Sequence, residues 1–245
     1  PNPCIACNRY VKFDAMLKKA LSMGIDYIAT GHYARIEHDQ STGRYLLKRS
    51  VTDKKDQTYA LYNMKQYQLE RTLFPIGNYN KETVRKIAEE LGFVVADKPD
   101  SQEICFVTDN NYAGFISSKL KEPMQPGYFV DTEGNILGEH KGIYNYTIGQ
   151  RKGLGISLGK PMYVVKIDAE NNTVVLGESG KEYSHGLIAT DLNWIAFGRL
   201  ESPRKAMAKI RYSAKESEAV ISPLENDKVK VEFTYPQSAV TPGQT

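Results

Sequence analysis

The chain has 245 residues, enough for one large domain or two to three small ones with real cores. Its hydrophobic fraction of 41% and charged fraction of 25% are those of an ordinary globular protein, and the net charge of +3 is too small to argue for nucleic acid by itself. No run approaches the roughly 18–20 apolar residues that span a bilayer, no signal-peptide pattern is present, and three cysteines do not make a secreted disulfide framework. A cytoplasmic protein that does not touch membranes is expected.

Helical spacing of Val11, Phe13, Met16, Leu17, Ala20 and Leu21 predicts a helix over 9–23, closed by Gly24. Residues 26–30 read as a short buried strand ended by Gly31, and residues 44–49 as another, preceded by a turn at Ser41-Thr42-Gly43. Asn80 is a cap for a helix over 81–91, which Gly92 ends. Helix alternating with strand implies a parallel sheet covered by helices. A short helix follows at 112–119, and Pro123, Pro126 and Gly127 then mark a boundary. Beyond it short strands dominate, at 128–130, 163–167, 173–176, 205–212, 217–221 and 228–233. Asp131–Asn135 and Asp168–Asn172 supply turns. The expected architecture is α/β plus β: an α/β part over 1–113, a small β-rich linking domain over 114–172 and a C-terminal β-barrel over 173–245.

The residue types that can carry chemistry fall in a few places. Cys4 and Cys7 form a Cys-x-x-Cys pair just ahead of the first predicted helix, where the helix N-terminus favours a thiolate. Two packed core cysteines are the bland alternative. Cys105 follows the polar run Asp100-Ser101-Gln102-Glu103, as in an active-site loop. His32 ends a strand in Gly31-His32, at the carboxyl edge where open α/β sheets bind ligands; a structural histidine fits as well. Gly149-Gln150-Arg151-Lys152-Gly153-Leu154-Gly155 lacks the ending of a phosphate-binding loop and sits in β context, so a basic loop against an RNA backbone fits better, with a plain β-turn as the alternative. Lys55-Asp56-Gln57-Thr58-Tyr59 is a charged, hydrogen-bonding stretch of no fixed meaning alone. Basic residues cluster locally: Arg199, Arg204, Lys205, Lys209, Arg211 and Lys215 stand against the single acid Glu201 between 198 and 215.

Taken in order, Pro1-Asn2-Pro3 with Cys7-Asn8, Ala29-Thr30-Gly31-His32-Tyr33-Ala34, Lys55-Asp56-Gln57, Asp100-Ser101-Gln102 with Ile104-Cys105-Phe106, Thr147–Gly155 and Thr241-Pro242-Gly243-Gln244 resemble the tRNA-specific 2-thiouridylases along the whole length. That family places sulfur on carbon 2 of the wobble uridine of certain tRNAs. The resemblance implies an adenylating α/β domain whose Ser-Gly-Gly-x-Asp-Ser phosphate loop is not in this sequence, so the chain is expected to be the family's fold without its first part and last strand or two. It implies ATP with Mg²⁺, tRNA as substrate, and a sulfur-donor protein such as a cysteine desulfurase or persulfide relay.

Carried over residue by residue, Cys7 matches the nucleophilic cysteine and Cys105 the persulfide carrier, with a Cys7–Cys105 disulfide as one outcome of the reaction. Asn2, Pro3 and Cys4 match the segment touching the target base, Gly31 an ATP contact and His32 a tRNA contact. Lys55, Asp56, Gln57, Arg211, Tyr212 and Gln244 match further tRNA-contacting positions, and Arg151 and Lys152 are expected to bind phosphate. Many members have Asp where this chain has Cys4, and a thiol is a poorer proton-transfer group than a carboxylate. Cys4, Cys7 and Cys105 therefore also form a candidate ligand set for a [4Fe–4S] cluster with one open iron. Two readings from other classes stand beside these: a non-catalytic RNA-binding β protein, and a zinc-stabilised module using three Cys and His32.

Overall fold

The computed structural model describes residues 3–52, 55–94, 96, 107, 112–119 and 125–244. The chain opens on one long helix made of α1 (Pro3–Ala6), a π-helical stretch (Cys7–Met16) and α2 (Leu17–Ser22). It begins earlier than the apolar spacing predicts, so the cysteine pair lies inside the helix rather than ahead of it. Proline is tolerated in a first turn because its missing N–H has no helical partner there. The core-facing line is Ile5, Asn8, Phe13 and Leu17, and a polar residue at Asn8 hides its first turns from a periodicity reading. Gly24, at φ +77°, ends the helix as expected.

Strand β1 (Ile28–Ala29) then pairs in parallel with β4 (Thr72–Leu73). Between them β2 (Ala34–Asp39) and β3 (Arg44–Arg49) form an antiparallel hairpin around the Ser41–Gly43 turn. A 3-10 turn (Thr58–Leu61) and α3 (Gln66–Glu70) follow. Phe13, Leu17, Ile28, Leu61, Leu69 and Phe74 meet in the core of this part. α4 (Lys81–Glu90) starts on Asn80, whose side-chain oxygen accepts from the Thr83 N–H at 2.8 Å, and stops at Gly92. α5 (Tyr112–Lys119) follows, ahead of the second sheet.

The second sheet has the order β6-β5-β8-β7, from β5 (Gly127–Val130), β6 (Ile136–His140), β7 (Met162–Asp168) and β8 (Thr173–Glu178). The boundary expected after residue 172 cuts this sheet. β8 pairs with both β5 and β7, so Thr173–Glu178 belongs to the central sheet. Phe129, Val164, Val174 and Leu176 form its core.

The third sheet is antiparallel with the order β10-β11-β12-β9, from β9 (Tyr183–Ala189), β10 (Arg204–Ala208), β11 (Ser217–Leu224) and β12 (Lys228–Ser238). β10 leaves the sheet after Ala208, which pairs with Ser217. The expected strand over 205–212 is therefore cut short, and residues 209–216 form a loop. Among the described residues no helix is long and apolar enough to cross a membrane.

Candidate functional site

Cys4 lies in α1 and is exposed; Cys7 opens the π-helical stretch and is half-buried. Residues three apart share a helix face, so both thiols stand on one side of the helix. Asn8 holds this end down: its side-chain Nδ2–H donates to the Ala60 carbonyl at 3.0 Å, and its buried Oδ1 has no partner among the described residues. Further along, Gln68 Nε2–H donates to the Phe13 carbonyl at 2.6 Å, inside the π-helical stretch. Stretches of π-helix are rare and concentrate at functional sites. Cys105 and Asn2 lie outside the described residues.

Gly31, after β1, is exposed, and among the described residues a side chain added there would meet only Ile76 at 3.9 Å. This leaves an open backbone surface at the strand's carboxyl edge. His32 turns inward instead, 8% exposed, between Phe13 and Phe74 at 5.7 and 5.8 Å between ring centres. Its Nδ1 bonds Thr30 Oγ1 at 2.8 Å. Burial, helped by the charge of Lys12, pushes its pKa down to about 4. The ring is thus neutral near pH 7, and a charge contact with phosphate is not what it offers in this conformation. Among the described residues no group of three His, Cys, Asp or Glu could hold a metal ion.

The structure brings two of the sequence-predicted segments to one place. Asp56, Thr58 and Tyr59 form one wall, and Lys209, Tyr212, Ala214, Lys215 and Glu216 the other, of a groove of about 830 Å³ that also includes Arg49. Asp56 builds its own wall. One carboxylate oxygen accepts from Ser50 N–H at 2.9 Å, and the other from the N–H and hydroxyl of Thr58. Gln57 ties this wall to the His32 loop: its N–H donates to the Tyr33 carbonyl at 3.0 Å, while its side-chain oxygen accepts from Tyr33 N–H at 2.9 Å. Tyr59 and Tyr212 meet edge-to-face at 5.9 Å, with the Lys209 ammonium 5.9 and 5.4 Å from the two ring centres. Arg49 pairs with Glu216 across the groove. Sequence reasoning gives no role to Arg49, takes Tyr59 only as the end of a charged stretch, and sees Lys209 only as one charge in a basic run. The three-residue spacing of Lys209 from Tyr212 is the available signal.

A second gathering lies around Ala239. Its carbonyl accepts from Arg211 Nη1–H at 3.2 Å and from the Thr241 hydroxyl at 3.0 Å. The basic loop packs beside it: Gly149, at φ +85°, lies so close that an added side chain would stand 2.6 Å from the Ala239 methyl. The loop is pinned to β7 by Gly149 N–H to the Val164 carbonyl at 2.7 Å, and Val164 N–H returns to the Gln150 carbonyl at 2.9 Å. Gln150 also closes the loop on itself through Thr147 N–H and the Lys152 carbonyl, each at 3.0 Å. Arg151 and Lys152 are left exposed, as is Gln244. Arg211, the basic loop and the Thr241–Gln244 segment thus form one surface.

Three family models match in succession: the tRNA methyl transferase HUP domain over residues 1–109, the tRNA methyl transferase PRC-barrel domain over 113–178 and the aminomethyltransferase beta-barrel domain over 184–245. The tRNA-specific 2-thiouridylase MnmA of Acetivibrio thermocellus is 67% identical over all of this chain, which covers 68% of that protein. The proteins of the same description from Caldicellulosiruptor saccharolyticus and Clostridioides difficile are 62% and 60% identical, again over the whole chain and 68% of their own lengths.

Proposed function

The chain belongs to the tRNA-specific 2-thiouridylase family, and from that premise we propose that it is a tRNA sulfurtransferase that replaces the oxygen on carbon 2 of the wobble uridine with sulfur. The matching domain models are named for methyl transfer, whereas the relatives that match the whole chain are named for thiolation. The cysteine-bearing helix sides with the latter. The observation that carries the reading is the presentation of Cys7 on an anchored helix whose neighbouring 3-10 turn forms one wall of a groove of tyrosines and lysines.

ATP with Mg²⁺ supplies the activation in this proposal, turning the uracil oxygen into part of a leaving AMP. The exposed backbone at Gly31 is the place this chain offers for a nucleotide contact. Cys105 holds sulfur delivered by a donor protein, as a persulfide. The terminal sulfur attacks carbon 2, AMP leaves with the former oxygen, and the Cys7 thiolate then attacks the Cys105 sulfur. That breaks the S–S bond and leaves sulfur on the base, with a Cys7–Cys105 disulfide to be reduced by an external thiol. In the variant order Cys7 attacks first, and the sulfide so released attacks carbon 2. The target base must leave the anticodon stack. In this proposal Pro3 and Cys4, on the helix turns that carry Cys7, contact the base, with Asn2 as a further contact.

The exposure of Cys4, one turn from Cys7, supports a second arrangement. Cys4 and Cys7 offer two soft thiolate donors on one helix, and with Cys105 they would hold a [4Fe–4S] cluster that supplies a bound sulfide nucleophile. The RNA-facing residues in this proposal are Asp56 and Tyr212 at the groove, Lys55 and Gln57 beside Asp56 in the chain, and Arg211, Arg151, Lys152 and Gln244 on the Ala239 surface. In this reading Asp56, Gln57 and His32 act mainly by shaping their loops. The test is thiolation by the full-length enzyme, wild type against Cys105→Ser and Cys4→Ala. Loss in the first with retention in the second supports the persulfide route. Loss in both, with iron and sulfide in anaerobically purified wild type, supports the cluster. Full activity of Cys105→Ser contradicts both.

A further inference from the structure

Residues 191–195 connect β9 to β10 in the C-terminal module, yet they are bonded to the α/β part from four separate elements. Asn193 Nδ2–H donates to the Tyr62 and Met64 carbonyls at 2.6 and 2.9 Å. Arg44, on β3, donates from Nε to the Ile195 carbonyl and from Nη2 to the Trp194 carbonyl, both at 2.9 Å. Gln66, on α3, reaches the Ile195 carbonyl at 3.2 Å, and the Ile195 side chain packs on the α/β core. The fourth bond differs in kind. Arg9, two residues from Cys7 on the cysteine helix, grips Asp191 with both guanidinium nitrogens, Nη2 to Oδ1 at 3.0 Å and Nη1 to Oδ2.

This pair adds little to docking. The Arg9 side chain is 30% exposed and that of Asp191 65%, and solvent screens such pairs strongly. The other three anchors already bury main-chain carbonyls and an isoleucine. What a two-pronged guanidinium–carboxylate contact adds is direction, because both planes are held. Asp191 also adopts φ +53°, a left-handed backbone that few residues other than Gly, Asn and Asp accept, and it is this conformation from which the carboxylate meets Arg9. The strap continues into the module that carries Lys209 and Tyr212 on the groove.

We infer that Arg9 and Asp191 are a positioning pair for Cys7, tying the cysteine turns of the first helix to the RNA-facing module, so that RNA seated on the groove alters the accessibility of the Cys7 thiol. The inference rests on the proposed thiolation function.

The experiment follows alkylation of Cys7 by iodoacetamide, read by peptide fragmentation so that Cys4 is scored separately, with and without unmodified tRNA. It is run on wild type, Asp191→Asn, Arg9→Gln and the double variant. Asparagine in place of Asp191 tolerates the left-handed backbone, so that substitution removes the charge and one of the two acceptor oxygens without straining the chain. In the wild type tRNA should change the Cys7 rate by about threefold or more, whereas either single variant should bind tRNA within about twofold of wild type and lose most of the change; the double variant should be no worse than either single. Asn193→Ala, which weakens the strap elsewhere, should lower the melting temperature and keep the response. Overturning results are tRNA responses in Asp191→Asn equal to wild type, or loss of the response in Asn193→Ala as well. No binding of tRNA to the wild type would instead overturn the functional reading.

Discussion

Gly149→Ala is a sharp test of how the basic loop meets the C-terminal module. An alanine forced into the left-handed region costs roughly 1–2 kcal/mol. Its methyl would stand 2.6 Å from the Ala239 methyl, where ordinary carbon contacts lie at about 3.5–4.0 Å. Relieving that overlap costs about 1–3 kcal/mol, so the whole loss is roughly 2–5 kcal/mol. Gly153→Ala is the internal control. It shares the positive φ, at +71°, but among the described residues an added methyl meets nothing nearer than Gln150 Nε2 at 3.9 Å, so only the backbone cost of roughly 1–2 kcal/mol applies. Urea unfolding of the two variants beside wild type measures the difference. Because Ala239 also receives Arg211, Gly149→Ala should weaken tRNA binding more than Gly153→Ala. Equal stability losses in the two variants would refute the packing of the loop against Ala239.

Acid should destabilise the protein through His32. Its folded pKa of about 4 lies below the ordinary 6.5, so the unfolded chain binds the extra proton between these values. Stability is then full above pH 6.5 and falls toward pH 4, by about 3 kcal/mol at most; His32→Gln should flatten that limb in pH-dependent urea melts, leaving the contribution of His140, whose pKa burial also lowers. Lys209→Ala should weaken tRNA binding and reduce its salt slope by about one, measured by filter binding across a salt series. Tyr212→Ala should cost about 1–3 kcal/mol of tRNA affinity with the slope unchanged if a base stacks on its ring. Asn80→Ala removes the bond to Thr83 N–H and should lower stability by about 1 kcal/mol, seen as an earlier thermal transition.

The sequence speaks most clearly where local chemistry decides local structure. Asn80 and Gly92 bracket α4, and Gly24 stops the first helix. The hairpin turns lie where Asp, Asn and Gly cluster. It misleads where tertiary contacts replace apolar spacing. The buried Asn8 is answered by Ala60 rather than by packing, so apolar periodicity starts the helix late and sets Cys4 and Cys7 outside it. β2 is hidden from such a reading because only Ala34 and Ile36 are apolar in Ala34–Asp39, and its order comes from pairing with β3. Residues 209–212 have strand-like composition, yet the chain turns away after Ala208 to line the groove. The motifs supply the members of the candidate site in order. They cannot show that Asp56 and Tyr212 share a groove, that His32 is buried, or that Asp191 reaches Arg9, because these depend on contacts between residues far apart in the chain.

The most direct test of the central claim is nucleoside mass spectrometry of tRNA after incubation with full-length enzyme, ATP, Mg²⁺ and a sulfur donor. Wild type should convert the wobble uridine to its 2-thio form, seen as the mass shift of an oxygen-to-sulfur exchange, and Cys7→Ser should leave it unmodified while still binding tRNA. Conversion by Cys7→Ser at the wild-type rate would contradict the account.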